Sequence, residues 1–234
     1  ALLYDVLWRT THGEPALAML DASLRVRDWI NLPTEDMGPE QLQSAVFDAA
    51  LAFNAKAEAI IGDDLLQQNF PTIHAVGRAS HRAPRLLRLD WGDTAHPHVV
   101  LCGKGVCFDT GGLDIKTADG MRNMKKDMGG AAHALALARL VMGQRLPVRI
   151  TLLIAAVENS IDGMAMRPGD VISTRAGLTV EIGNTDAEGR VVMCELLAEA
   201  DAESPDLLVD VATLTVGARQ ALGPDVGAYF ASRD

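Results

Sequence analysis

Apolar residues along the chain follow two alternating spacings, one typical of helices and one typical of strands. Spacing of three to four residues predicts helices over residues 14–30, 39–53, 131–142 and 191–202, with a shorter helix ending near residue 70. Short apolar runs predict strands over residues 56–61, 84–89, 98–102, 148–157, 177–182 and 207–212. Residues 103–126 are rich in Gly, Asp and Lys and show little periodicity, which predicts a long irregular segment.

The strands over residues 148–157 and 207–212 are continuously apolar, as expected of strands buried on both faces of a sheet. Strand and helix alternate through this half of the chain. The pattern therefore predicts an α/β fold, a three-layer sandwich whose mixed, largely parallel central sheet is flanked by helices.

Composition and charge narrow the possible partners. The 234 residues include 48% hydrophobic and 22% charged residues, the balance of a globular protein. A net charge of −10 argues against nucleic acid or an anionic membrane as a partner. Three cysteines without framework spacing indicate a reducing compartment, and no secretory signal is visible, so we expect a cytoplasmic protein. The chain lacks an initiator methionine and is expected to begin part-way through a longer protein.

Two polar clusters follow predicted strands. The first is G-K-G-V-C-F-D-T-G-G-L-D-I-K (residues 103–116) with M-K-K-D-M-G-G (residues 124–130), and the second is N-T-D-A-E-G-R (residues 184–190). In an extended backbone Asp186, Glu188 and Arg190 would point the same way and could bind hard cations and stabilise a developing anion. A lone D-x-E-x-R is more often a solvated loop. The G-K-G segment lacks the G-x-x-x-x-G-K-[ST] spacing of a phosphate-binding loop, which excludes that interpretation.

Together the clusters resemble the leucyl aminopeptidase (cytosol aminopeptidase) family of dinuclear metallopeptidases, whose signature is N-T-D-A-E-G-R. The resemblance extends from about residue 24 to the C-terminus. It implies that residues 14–234 form a metallopeptidase catalytic domain shortened at its C-terminal end, and that residues 1–13 are a remnant of an N-terminal domain or linker. It also implies a hydrolase that cleaves the N-terminal peptide bond of short peptides, with leucine-like first residues preferred.

The resemblance implies a set of five metal ligands: Lys104, Asp109, Asp127, Asp186 and Glu188. Asp109 and Glu188 would bridge two divalent ions (manganese, zinc or magnesium). Asp186 would complete one site, and Lys104 with Asp127 the other. Four carboxylates carry a charge of about −4, so without cations some of them are expected to take up protons. Lys104 can bind a metal only as a neutral amine, which a bound dication favours.

The remaining cationic groups are catalytic by the same resemblance. A water activated by two divalent metals would attack the peptide carbonyl, with Lys116 stabilising the oxyanion. Arg190 would hold a bicarbonate ion that acts as the general base. The pocket for the first side chain would be lined by Met124, Thr213 and Leu214.

Several residues depart from this pattern or lie outside it. Thr117 replaces a common proline, and Val216 replaces the glycine of A-T-L-T-G, where it is expected to narrow the pocket or displace the backbone. We expect His96 and His98 to be surface residues and His133 to be a packing residue, none of them a metal ligand.

Two other functions stay open at this point. A truncated, non-catalytic family member could act as a structural subunit, since full-length members form homohexamers. A different dinuclear hydrolase, such as a phosphoesterase, is disfavoured by the lysine ligand and the absence of histidine from the ligand positions. Because a C-terminal part of the family domain is missing, we expect the isolated 234-residue chain to be poorly active and prone to associate.

Overall fold

The computed structural model describes residues 13–223 and 225–232, which form a five-stranded sheet with helices on both faces and a separate two-stranded hairpin. The helices are α1 (Gly13–Asn31), α2 (Pro39–Phe53), α3 (Asp64–Gln67), α4 (Pro71–Gly77), α5 (Ala118–Met121), α6 (Gly129–Gly143), α7 (Glu188–Ala202) and α8 (Gly217–Leu222), with 3₁₀ helices at Met124–Met128 and Thr185–Ala187. The strands are β1 (Lys56–Ile61), β2 (Arg85–Trp91), β3 (His98–Asp109), β4 (Arg149–Asn159), β5 (Val171–Ser173), β6 (Thr179–Glu181) and β7 (Leu207–Val211).

The main sheet has the strand order β1-β2-β4-β3-β7. Strand β2 is antiparallel to both of its neighbours, whereas β3 is parallel to β4 and to β7. Four of these five strands therefore point the same way, which confirms the predicted mixed, largely parallel sheet. The carboxyl ends of the adjacent strands β3 and β4 meet at one edge, where Asp109 pairs with Asn159. Open α/β sheets commonly bind ligands beyond such ends.

Two apolar cores lie on opposite faces of this sheet. One joins the sheet to α1, α2 and α6, and the other joins it to α4 and α7. Adjacent strand residues alternate between them: Leu152 belongs to the first core and Leu153 to the second. Burial on both faces explains why β4 is almost continuously apolar. The three-layer prediction is thus confirmed.

The largest error in the predicted elements concerns β3. It continues to Asp109, whereas the sequence pattern ended it at residue 102 and placed an irregular segment after it. Two glycines caused the error, because glycine usually weakens a strand. Here a Cβ at Gly103 would lie 2.7 Å from Ala131 Cα, and one at Gly105 would lie 2.6 Å from Ala155 O. Tight packing requires both glycines, and the strand persists through them.

Helix α4 and strand β5 were also missed by the sequence pattern, as was α8. The proposed remnant at residues 1–13 falls almost entirely outside the described residues, which begin at Gly13. No helix in the described part of the chain is both long enough and apolar enough to cross a bilayer.

Candidate metal centre

Lys104 lies inside strand β3, where it pairs with Ala155 of β4, and its residue is only 2% exposed. The sequence pattern placed the candidate functional residues after the ends of strands, and the position of Lys104 inside β3 corrects that expectation. The ammonium Nζ lies 2.8 Å from Asp127 Oδ2 and 2.8 Å from Glu188 Oε1. It also donates a hydrogen bond of 2.8 Å to the Thr213 carbonyl oxygen. The buried cation is thus enclosed by two carboxylates and a backbone dipole.

Glycines leave the space that this lysine fills. A Cβ at Gly189 would lie 2.7 Å from both Cε and Nζ of Lys104. A Cβ at Gly130 would lie 2.9 Å from the Lys104 backbone nitrogen and would also meet Val211 O. We call the space between these two residues and Gly103 the glycine slot. The slot allows α6 and α7 to approach β3 closely. Asp127, just before α6, and Glu188, the first residue of α7, can therefore contact Lys104.

Asp109 ends β3, and the chain then reverses to bring Lys116 back beside it. Gly111 and Gly112 have φ values of 88° and 66°, a left-handed conformation that glycine adopts without strain. The Lys116 backbone N–H donates to Thr110 O over 2.9 Å, which closes the turn. The Lys116 ammonium then lies 2.8 Å from Asp109 Oδ2 and also contacts Asp186 Oδ1.

Asp127 belongs to the 3₁₀ helix Met124–Met128, which packs against β3. The Thr213 hydroxyl donates to Asp127 Oδ1 over 2.7 Å and so fixes its orientation. Carboxylate oxygens of Asp109, Asp127 and Glu188 lie within 4.8 Å of one another. Together with the contacts of Lys104 and Lys116, this distance shows that the fold gathers all five predicted ligands into one cluster.

The segment N-T-D-A-E-G-R is helical, so the predicted extended backbone is wrong. Residues Thr185–Ala187 form a 3₁₀ turn, and Glu188 is the first residue of α7. Side chains two apart on a helix point about 200° apart, which lets Asp186 and Glu188 contact different lysines. The positive end of the α7 dipole favours the Glu188 carboxylate. Arg190 lies in the first turn of α7 and is exposed to solvent.

Burial and neighbouring charges shift the pKa values of the groups in this cluster. Burial raises the pKa of Glu188, and the Asp109 charge adds to this, although Lys104 opposes it. The pKa of Asp186 is also raised, chiefly by burial. Burial alone would lower the pKa of Lys104, but the charges of Glu188 and Asp127 raise it on balance. The expectation that some carboxylates bind protons without cations agrees with these directions.

The four carboxylates and two lysines fit divalent cations. Glu188 Oε2 is buried without a hydrogen-bond partner, whereas Asp127 Oδ2 and Asp186 Oδ1 face the ammonium groups of Lys104 and Lys116. Buried polar atoms are rarely left without a partner. Carboxylate oxygens in this number suit hard or borderline divalent ions.

The predicted pocket residues border this cluster. Met124 is half-buried at the start of its 3₁₀ helix, and Leu214 is exposed near Gly189. Thr213 contacts both Lys104 and Asp127, so it also orients the predicted ligands. Val216 is 62% exposed, whereas Thr117 caps α5 by accepting a hydrogen bond from Gly120 N.

Two of the three histidines considered in the sequence analysis differ from expectation in their exposure to solvent. His98 is buried rather than on the surface, and its Nε2 lies 3.0 Å from the Thr151 hydroxyl. His133 is exposed rather than packed, with Nδ1 2.7 Å from Gly129 O. His96 is exposed, as expected.

Sequence reasoning missed three residues that bond to the cluster or to its backbone: Asp114, Asn159 and Thr185. Thr185 lies within the signature heptapeptide, so the motif itself could have indicated it. Asn159 ends the buried strand β4, and a polar residue at such a position is a usable signal. Nothing in the local pattern marks Asp114.

Several known proteins resemble this chain in sequence and in structure. The chain is 43% identical over 218 residues to Peptidase B of Pectobacterium carotovorum, covering 89% of this chain and 50% of that protein. The structure of a cytosol aminopeptidase from Coxiella burnetii matches with a TM-score of 0.88 and 57% identity, covering 92% of this chain and 47% of that one. The bottromycin maturation enzyme BotP, in complex with Mn, matches with a TM-score of 0.85 and 37% identity, covering 90% and 47%.

The chain thus spans about half the length of the relatives it matches. The match nevertheless covers most of this chain, because the model of the cytosol aminopeptidase family's catalytic domain matches residues 25–234. The fold, the acidic cluster around two lysines and this match together lead to one conclusion: the chain belongs to the cytosol aminopeptidase family.

Proposed function

We propose that this chain forms the core of a metal-dependent aminopeptidase that hydrolyses the N-terminal peptide bond of short peptides. The observation that carries the proposal is the buried cluster in which Lys104 and Lys116 face four carboxylates. Two ammonium groups against four carboxylates leave a net charge of about −2, or about −3 once Lys104 is neutral as a metal ligand, and two divalent cations would offset it. Membership of the cytosol aminopeptidase family gives this cluster its expected chemistry.

Lys104, Asp109, Asp127, Asp186 and Glu188 would hold the two ions. By resemblance to the family, Asp109 and Glu188 would be shared between the two ions. Glu188 contacts Lys104 and Asp109 contacts Lys116, and oxygens of these two carboxylates lie within 4.8 Å of each other. The relative BotP was solved with Mn, and we propose manganese for this chain, with zinc or magnesium as substitutes. Divalent cations, when bound, polarise the substrate carbonyl and lower the pKa of water toward neutrality.

The protein's own residues supply the remaining steps. Lys116 is half-buried, and its ammonium would donate a hydrogen bond to the carbonyl oxygen as negative charge develops there. The exposed guanidinium of Arg190 would hold a bicarbonate ion that accepts the proton of the attacking water. Met124, Thr213 and Leu214 would contact the first side chain, with leucine-like residues preferred.

The proposed metal ions would also account for the choice of the first peptide bond. The free amino group of a peptide, in its neutral form, would bind one of the ions, and an internal bond has no such group. We propose that the protein acts in the cytoplasm on short peptides and that the whole protein assembles as a homohexamer.

Hydrolysis of a leucine chromogenic amide in the presence of Mn²⁺ tests the proposal, with the N-acetylated amide as the control substrate. Turnover of the free-amine substrate alone, abolished by a chelator and restored by Mn²⁺, is the expected result. Equal cleavage of the acetylated amide would contradict aminopeptidase specificity. Metal-loaded protein that cleaves neither substrate would favour the structural-subunit alternative.

A further inference from the structure

Two of the three segments that carry the proposed metal ligands, those of Asp109 and of Asp186 with Glu188, are more than seventy residues apart in sequence, yet side-chain hydrogen bonds join them directly. The Thr185 hydroxyl donates to Gly111 O over 2.6 Å and accepts from Asp114 N over 2.8 Å. In return, the Thr185 backbone N–H donates to Asp114 Oδ2 over 2.8 Å. Thr185 is fully buried, so these bonds are shielded from competing water. Thr185, the residue before Asp186, is therefore held by three hydrogen bonds to the turn that follows Asp109.

Asn159 makes a second connection from the end of β4. Its amide Nδ2 donates to Asp109 Oδ1 over 2.9 Å and to Thr185 O over 3.0 Å. Asn159 is 2% exposed. The Asn159 amide thus donates one hydrogen bond to Asp109, a proposed ligand, and one to the backbone of Thr185, the residue before Asp186.

These bonds determine which oxygen of Asp109 faces the centre. Oδ1 accepts from Asn159 Nδ2 and, over 2.9 Å, from the Gly111 backbone N–H. An oxygen with two such donors is fully engaged. The other oxygen, Oδ2, is the one turned toward the Lys116 ammonium. Without Asn159, the Asp109 carboxylate could rotate, and the Asp186 segment would lose a link to it.

We propose that Asn159 and Thr185 are positioning residues that hold the Asp109 and Asp186–Glu188 segments in register for binding two metal ions. This inference rests on the proposed function, because it assumes that the cluster binds divalent cations. Neither side chain is a proposed metal ligand. Each acts by orienting residues that are, and partners of this kind commonly influence metal affinity.

Calorimetric titration of the metal-free chain with Mn²⁺ tests the inference through binding alone. We expect Asn159→Ala and Thr185→Val each to weaken Mn²⁺ binding by roughly 10–100-fold. Thr185→Ser keeps the hydroxyl and should restore affinity to near the wild-type value.

Thr72→Val is the matched control. Thr72 is also fully buried, and its hydroxyl donates to Val191 O over 2.8 Å, but it does not contact the proposed ligands. Thermal unfolding of the metal-free variants should show similar losses of stability for Thr72→Val and Thr185→Val. Only Thr185→Val should lose Mn²⁺ affinity. If Asn159→Ala does not fold, the two Thr185 variants decide the question.

The possible failures are distinguishable. Wild-type protein that binds no Mn²⁺ would contradict the proposed function and this inference together. Wild-type protein that binds two ions, with Thr185→Val and Asn159→Ala unchanged, would overturn only the inference. Equal loss of affinity in Thr72→Val and Thr185→Val would reduce the role of Thr185 to general stability.

Discussion

Two regions of this molecule crowd acidic and basic side chains together, and they differ in how the charges are balanced. In the first, Arg88 donates two hydrogen bonds to Asp90, of 2.7 and 2.9 Å, and contacts Glu203 at 2.5 Å. Burial opposes ionisation of both partners, yet the Arg88 guanidinium and a hydrogen bond from Thr151 lower the pKa of Asp90 on balance. Asp90 and Glu203 likewise raise the pKa of Arg88. Arg149 also contacts Glu203, and Arg175 pairs with Glu199, which Arg88 contacts as well. Three arginines therefore face three partly buried carboxylates, and the cluster is neutralised by its own residues.

The proposed metal centre is the opposite case. Burial raises the pKa of both Asp186 and Glu188, two lysines face four carboxylates, and Glu188 Oε2 is buried without a partner. The comparison teaches that buried charge by itself does not identify a site. An excess of one sign, with a buried oxygen left unpaired, distinguishes the cluster proposed to bind cations from an ion network that stabilises the fold.

The largest effect is expected at the ligand that contacts Lys104 from α7. Glu188→Gln should remove most Mn²⁺ binding and nearly all activity, because Glu188 is proposed to be shared by both ions. Asp127→Asn should weaken one site and leave the other partly occupied. Metal analysis after dialysis against Mn²⁺ measures the number of ions retained, with two expected for the wild type.

Glu195→Gln is the matched control for Glu188→Gln, since it makes the same change to another buried glutamate on α7. It should keep both ions. Loss of metal in both variants would mean that the helix, and not the Glu188 carboxylate, is responsible.

Lys116→Ala should lower kcat by roughly 10²–10³, the usual consequence of removing one oxyanion donor. The metal content should change little, because Lys116 is not a proposed ligand. Steady-state kinetics and metal analysis on the same sample separate the two roles, with Lys56→Ala on β1 as the control. Parallel loss of metal and activity would make Lys116 a structural residue or a ligand.

Arg88→Ala should lower the free energy of unfolding by about 2 kcal/mol, because the half-buried carboxylates of Asp90 and Glu203 lose a charged hydrogen-bond partner. Arg139→Ala removes a guanidinium that lies over the Phe53 ring and should cost only about 0.5–1 kcal/mol. Urea denaturation measures both values.

In the metal-free protein Glu188→Gln should instead leave the free energy of unfolding equal or increase it, since ionising Glu188 in its buried position is unfavourable. A large loss for Glu188→Gln would remove the contrast between the two regions.

The smallest effect concerns Glu195, whose Oε1 accepts from Thr72 N and Arg175 N while Oε2 is buried without a partner. Burial raises its pKa above the ordinary value of 4.5, despite opposing hydrogen bonds. The folded state therefore holds this proton more tightly than the unfolded state. Stability should decrease as pH rises from 4.5 through the raised pKa, and this contribution should be absent in Glu195→Gln. Unfolding curves of both proteins between pH 4.5 and 8 measure the difference.

The sequence predicted the sheet, and which residues lie together in the acidic cluster, better than it predicted local conformation. Strand β1 was placed over its observed residues, because Lys56–Ile61 has a short apolar pattern with clear limits. The carboxylates were identified from motif resemblance, which carries no information about backbone shape. Asp186 and Glu188 were therefore expected on an extended segment, although Glu188 begins α7.

Long-range packing explains most of the remaining differences. Gly103 and Gly105 resemble loop residues in sequence, and only their contacts with Ala131 and Ala155 reveal why β3 continues through them. His98 was expected on the surface because it follows a proline, but β4 supplies Thr151 as its buried partner. The position of Asn159 at a strand end marks it as a candidate, but its partners lie 50 and 26 positions away, and a local pattern does not identify them.

The glycine slot around Lys104 has a consequence for how this protein tolerates mutation. Gly103, Gly130 and Gly189 have no chemical role, yet at each of them a single methyl group would meet the backbone or side chain of a neighbouring element at 2.9 Å or less. In a scan of all substitutions, these positions should be as intolerant as the charged residues, with alanine hardly better than any larger residue. A catalogue of invariant positions would then mix two kinds of constraint: side chains that must be present, and side chains that must be absent.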